Sequence, residues 1–168
     1  MFRGPAVSPS GVLIGAAPFS FPGCYYIRMV IKFQKLDPNA TLPSYAHPGD
    51  AGMDVFALER TVFAPGERKG VRTGFAMEIP DGHVALVWDK GGVGIKGGMK
   101  TLGGVIDAGY RGEVMIGMVN LSGAEYAFEA GHKVAQILIQ RVERLEIEEA
   151  EKLSDTSRGA GGFGSTGK

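Results

Sequence analysis

Gly104-Val105-Ile106-Asp107-Ala108-Gly109-Tyr110-Arg111-Gly112-Glu113-Val114 is the stretch around which the rest of the chain reads. It begins as an apolar strand, breaks at a small turn and resumes as a strand at Glu113, which predicts a β fold. Asp107 stands at the strand end and Tyr110 on the turn. Ala108 and Gly109 between them are small enough for a ligand to approach the backbone closely. Read alone, the stretch also describes an ordinary hairpin with a solvated carboxylate and a capping tyrosine, because turn carboxylates are common.

Outward from this stretch the pattern stays β. Val30 to Leu36 alternates and is ended by Asp37-Pro38-Asn39, and Asp50 to Ala57 brings two acids and a glycine into a short strand. Val71, Thr73, Phe75, Met77 and Ile79 alternate up to the Pro80-Asp81-Gly82 turn. Val84, Leu86 and Trp88 line one face of the next strand, as do Val114, Ile116 and Met118, then Ala135, Ile137 and Ile139. Many short strands between turns predict an all-β domain over 29–157, a sandwich, jelly roll or barrel. Glu146 to Leu153 is long enough for two helical turns.

The 168 residues fit one such domain. Eighteen basic and eighteen acidic side chains cancel, so no global positive field draws nucleic acid. The single cysteine, Cys24, excludes an intrachain disulfide and fits a reducing, cytoplasmic setting. No apolar run approaches the ~20 residues that span a bilayer. Residues 1–28 carry only Arg3 and Arg28 as charges and are broken by four prolines. They read as a disordered leader or a start-site artefact, with Met29 as the natural beginning; the apolar run Val12-Leu13-Ile14 is too short for a convincing signal peptide. His47, His83 and His132 have no metal-ligand spacing.

Glycine is the outlier, with 27 residues, ten of them between Gly91 and Gly117 and five between Gly159 and Gly167. Asp89-Lys90-Gly91-Gly92-Val93-Gly94-Ile95-Lys96-Gly97-Gly98 is either a loop whose backbone and lysines wrap a polyphosphate or a flexible turn with solvated lysines. Gly131-His132-Lys133-Val134-Ala135-Gln136 opens a strand whose apolar run Gln136 interrupts. The tail Arg158 to Lys168 satisfies G-x-G-x-x-G and most of a P-loop pattern. Both motifs need a following helix to meet the phosphate, and with Lys168 as the last residue neither helix is expected. What remains is a mobile strip able to fold over a ligand, a guanidinium on phosphates and a ring on a base.

In this order the stretches resemble the five motifs of the homotrimeric deoxyuridine triphosphate nucleotidohydrolase (dUTPase) family. Ala51-Gly52-Met53-Asp54 resembles the first and Asp89 to Gly94 the second. Gly104 to Gly112 resembles the third, Gly131 to Gln136 the fourth and Arg158 to Gly167 the fifth, a likeness covering 31–168. It implies a distorted jelly roll with a flexible glycine-rich tail at 158–168, assembled as a homotrimer whose active sites are shared between subunits. It implies Mg²⁺-dependent hydrolysis of dUTP to dUMP and pyrophosphate. Asp107 would be the general base for water attack on the α-phosphorus. Gly104, Val105 and Ile106 would read uracil through the main chain, and Tyr110 would pack on the deoxyribose. Lys90, Gly91, Gly92 and Gln136 would hold phosphates. Phe163 would stack on the base while Arg158, Gly164, Ser165 and Thr166 close over the ligand, and Asp54 would sit near the metal through water.

Lys90-Gly91 departs from the family's usual Arg-Ser or Lys-Ser, keeping the charge and losing a hydroxyl. Two other readings follow from the same resemblance. One is a dCTP deaminase-like enzyme of the same superfamily, which calls for a different tail. The other is a weakly active nucleotide-binding regulatory relative.

Overall fold

Among the described residues eleven short strands follow one another, and every pairing is antiparallel. The computed structural model describes residues 29–162. The predicted leader at 1–28 and the tail positions Phe163, Gly164, Ser165 and Thr166 lie outside the described residues. All eleven strands belong to the unit that begins at Ile31.

The strands are β1 (Lys32–Lys35), β2 (Met53–Phe56), β3 (Thr61–Phe63), β4 (Arg68–Val71), β5 (Phe75–Glu78) and β6 (His83–Asp89). They continue with β7 (Met99–Leu102), β8 (Val105–Ile106), β9 (Ile116–Asn120), β10 (Tyr126–Phe128) and β11 (Lys133–Arg141). They form a four-stranded sheet ordered β2-β11-β6-β8, a three-stranded sheet β4-β9-β7, and the pairs β1-β5 and β3-β10. One core draws on all four sheets, with Val55, Phe63, Val71, Phe75, Ile116, Met118, Phe128 and Ile137 closed to solvent. Phe63 and Phe128 meet edge to face at 6.1 Å, the arrangement that aromatic quadrupoles favour.

Three expectations change. Val71, Thr73, Phe75, Met77 and Ile79 are all buried, but so are Gly74 and Ala76, and the run is not one strand: Gly74, at φ 72°, turns the chain from β4 into β5. Thr73 is buried in that corner and donates its hydroxyl to the Val114 carbonyl at 2.5 Å. Val84, Leu86 and Trp88 do share a face of β6, but the core face is the other one. Ala85 is fully buried, whereas Trp88 is 55% exposed. Glu146 to Leu153 is not helical. Four glutamates at 146, 148, 149 and 151 repel one another, and among the described residues Leu145, Ile147 and Leu153 stay largely exposed.

The stretch 104–114 is not a hairpin. Its first strand, β8, pairs with β6, and the chain resumes as β9 only at Ile116, in the other sheet. The turn therefore bridges two layers. Among the described residues no helix is long and apolar enough to cross a membrane.

The corner at Gly74 gives a test of the fold. An alanine there meets about 1–2 kcal/mol of left-handed backbone cost. Its Cβ would also stand 3.0 Å from both Ala40 Cβ and Leu58 Cδ1. Gly66, at φ 75° with open space around it, carries only the backbone part. Urea midpoints should therefore fall further for Gly74→Ala than for Gly66→Ala; equal shifts would contradict the packing at this corner.

Candidate active site

Strand β11 collects three of the sequence stretches. Its register sets Gln136 opposite Asp54 on β2 and opposite Trp88 on β6, and the glycine loop leaves β6 one residue later. Gln136 is half-buried and donates from Nε2 to the Asp89 carbonyl at 3.0 Å. A Cβ on Gly52 would lie 2.7 Å from Gln136 Oε1, so any larger residue there would displace the Gln136 side chain. Gly52, Asp54, Lys90 and Gln136 line one cleft of about 290 Å³.

Asp54 is buried at the edge of this cleft. Lys90 Nζ donates to its Oδ1 at 2.6 Å, and Lys133 Nζ lies 2.7 Å from Oδ2. Burial by itself would raise the Asp54 pKa, but the two ammonium groups outweigh it and hold the carboxyl below its usual value. One negative charge thus gathers two positive ones. Such a group does not fit direct ligation of a free divalent cation, which would meet a net positive environment. Asp89 works at the base of the loop. Its Oδ1 accepts from the Thr101 N–H and hydroxyl, both at 2.8 Å, and its Oδ2 pairs with Lys100 at 2.6 Å. The ends of the glycine loop are thereby tied together. Inside the loop Gly92–Lys96 makes one wide turn, with Gly91 at φ −51°, ψ −45°.

The second cavity, about 280 Å³, lies along β8 and shares no lining residue with the first. Gly104, Val105, Ile106, Asp107 and Tyr110 line it. Gly104 is required: its φ is 115° and a Cβ would stand 2.9 Å from the Val87 carbonyl. Because Val87 N–H donates to Gly104 O, the pairs Gly104–Val87 and Ile106–Ala85 are the hydrogen-bonded ones. Val105 then turns its N–H and C=O away from β6, to the open edge of the sheet, and Asp107 N–H points the same way. Asp107 is exposed. Tyr110 N–H closes the turn onto Asp107 O at 3.0 Å, and the Tyr110 hydroxyl donates to Glu113 O.

Of the tail's predicted site residues, Arg158 is the described one. It bonds Gly161 O at 2.8 Å and lines neither cavity. Lys133 and Asp89 carry no role in the sequence reading. Asp89 had a signal in its place at the mouth of the loop. Lys133 had none, because three residues from Gln136 on a regular strand means the opposite face. A bulge between Lys133 and Ala135 reverses that parity.

Comparison with known proteins agrees with the motif order. The dUTPase family model matches residues 38–167. The deoxyuridine 5'-triphosphate nucleotidohydrolase of Thermobifida fusca is 44% identical over 157 residues, 92% of this chain and 88% of that protein. The enzyme of the same name from Clostridium tetani is 41% identical over 140 residues, 82% of this chain and 97% of that one. The Staphylococcus bacteriophage 80alpha dUTPase with dUpNHpp has a TM-score of 0.78 at 29% identity, over 83% of this chain and 99% of its own. A variant dUTPase of phage phi11 of S. aureus, described for its structural Mg(II) ion, has a TM-score of 0.71 at 27% identity. It spans 76% of this chain and all of that one.

The Asp54 pairing predicts a pH signature. A carboxyl whose folded pKa is depressed lends stability that is present above the unfolded value, here 3.8. That stability is lost as pH falls through the lower folded value. The acid limb of melting temperature against pH should therefore be shallower in Asp54→Asn than in the wild type. At neutral pH the variant should melt lower, since two ammonium groups face each other uncompensated. Superimposable profiles would contradict the pairing.

Proposed function

Because the chain belongs to the dUTPase family, we propose that β8 reads uracil through its open edge and that Asp107 activates the attacking water. The reaction is hydrolysis of dUTP to dUMP and pyrophosphate, so the protein is a dUTP diphosphatase. One observation carries the assignment of residues. The free edge of β8 offers Val105 N–H, Val105 C=O and Asp107 N–H in sequence, a donor, an acceptor and a donor. Uracil offers O4, N3–H and O2, which is the complementary pattern. Cytosine offers a donor followed by two acceptors and leaves groups unpaired, which costs about 1–3 kcal/mol per buried group. This argues against the deaminase reading.

Tyr110, beside the same edge, packs on the sugar and crowds a 2′-hydroxyl. The Asp107 carboxylate next to the base-reading edge accepts a proton from water as its oxygen attacks the α-phosphorus. Lys90 and Lys133, gathered by Asp54, meet the charge that develops on the phosphates, and Gln136 holds a phosphate oxygen. Asp54 then serves to place cations. Mg²⁺ arrives as the complex of the nucleotide, with Asp54 reaching it only through water, and none of these residue roles depends on it. The tail residues Arg158, Phe163, Gly164, Ser165 and Thr166 close over base and phosphates. A freely diffusing nucleotide and a single cysteine fit the cytoplasm as the place of work.

The two half-sites share no residue within one chain, yet one dUTP must touch both. That supports a homotrimer in which β8 of one subunit faces the Asp54 cleft of another. The outward face of Val84, Leu86 and Trp88 and the exposed Leu145, Ile147 and Leu153 supply apolar surface for it.

Asp107→Asn should bind nucleotide and lose most turnover, while a chain lacking 158–168 should fold and also lose turnover. After subunit exchange between the two, pyrophosphate release should return in part, because some mixed trimers hold an intact shared site. No recovery would mean that each site is built within one chain. Gly91 gives a second test. A serine hydroxyl on a charged phosphate oxygen is worth about 1.5–3 kcal/mol, and the backbone here suits serine, with nothing within 4 Å of a Cβ. Gly91→Ser should raise kcat by up to about tenfold at unchanged melting temperature. Equal kcat would show that a water or the Gly91 N–H already replaces the hydroxyl.

A further inference from the structure

Asp107 owes its position to backbone alone. It is exposed, and among the described residues no side chain or N–H group donates to its carboxylate. The turn that follows it packs against the core only through Ala108; around Gly109 a Cβ would meet nothing within 4 Å. Two anchors lie outside it. Upstream, β8 is fixed by its ladder to β6. Downstream, the Glu113 carboxylate accepts from Gly74 N–H at 2.9 Å and from Arg72 Nη2 at 3.2 Å.

Between these anchors the strongest bonds come from Arg111. Its Nη1 donates to Ala108 O at 2.6 Å and to Tyr110 O at 2.8 Å. One guanidinium nitrogen thus joins the carbonyls on either side of Gly109, with the added strength of a charged donor. The side chain lies beside Lys32 and Glu78 and does not line the cavity that holds Asp107 and Tyr110. It is therefore badly placed to touch a nucleotide and well placed to fix the peptide planes that aim Asp107.

We propose that Arg111 is a positioning residue for the general base: its clamp on the 108 and 110 carbonyls sets the direction of the Asp107 side chain. This rests on the assignment of Asp107 as the base. Misplacing a reacting group by about 1 Å can cost on the order of 100-fold in rate, so loss of the clamp acts on the chemical step and leaves binding nearly alone.

The experiment is steady-state dUTP hydrolysis by the full chain carrying Arg111→Met, Arg111→Lys, Asp107→Asn, or Arg111→Met with Asp107→Asn. Arg111→Met should lower kcat by about 10- to 100-fold with KM within about twofold. Arg111→Lys, whose ammonium can still donate to both carbonyls, should recover part of the loss. On the Asp107→Asn background Arg111→Met should cost little more, because its effect passes through Asp107. Several results would overturn the inference: wild-type kcat in Arg111→Met, a raised KM with kcat intact, an equal loss on both backgrounds, or variants that fail to assemble. Wild-type turnover in Asp107→Asn would instead remove the base assignment. A wild-type Arg111→Met beside an inactive Asp107→Asn would remove only the positioning role.

Discussion

The pairing of β11 with β2 on one side and β6 on the other is the constraint on which the Asp54 cleft depends. Asp54, Gln136 and Lys90 are 46 and 82 residues from one another in the chain, counting Lys90 to Gln136 and Asp54 to Gln136. Only the antiparallel register brings them to one face. A slip of one residue would send Gln136 to the core side and Ile137 to the cleft, exchanging a fully buried apolar side chain for an amide. The apolar alternation of β11 therefore protects the site as well as the core. The bulge at Lys133 is the one departure from that alternation, and it adds a second cation to Asp54.

The edge of β8 works by the opposite device. An unpaired sheet edge ordinarily invites aggregation. Here it is kept to two residues, flanked by Gly103 and Gly104 at positive φ, and followed at once by a turn. A strand so short offers one donor–acceptor–donor set, too little for another chain. The proposed main-chain reading of the base would need no polar side chains from this stretch. Val105 and Ile106 are chosen for the strand they make, and Asp107 is the first side chain along it able to do chemistry.

The division between what could be read from the sequence and what could not follows the same lines. Motif spacing located Asp54, Lys90, Asp107, Tyr110 and Gln136, and all five line one or the other cavity. Periodicity found the buried faces of β5, β9 and β11. On β6 it found a shared face without saying which one meets the core, because both faces of that strand are apolar. The helix expected at 146–153 failed for a related reason: its apolar residues stay exposed, so no packing offsets the cost of ordering a short helix. Lys133 was hidden by a bulge, and Arg111 by the fact that its partners are carbonyls, which leave no trace in residue identity.

Two aspartates in this chain have similar side-chain chemistry and opposite circumstances. Asp54 is buried between two ammonium groups and is committed to them, its affinity for a proton suppressed. A base in that setting would be a poor one, since taking up a proton would mean giving up both ion pairs. Asp107 is exposed at a strand end, with Arg111 turned away from it onto peptide carbonyls. The Arg111 guanidinium thus bonds the backbone without capturing the carboxylate. Phosphate binding needs cations and proton abstraction needs a free carboxylate, and placing both on one surface of one chain would let them neutralise each other. Under the proposed roles, separating them into cavities with no shared residue keeps the lysines available for phosphate and Asp107 available for water.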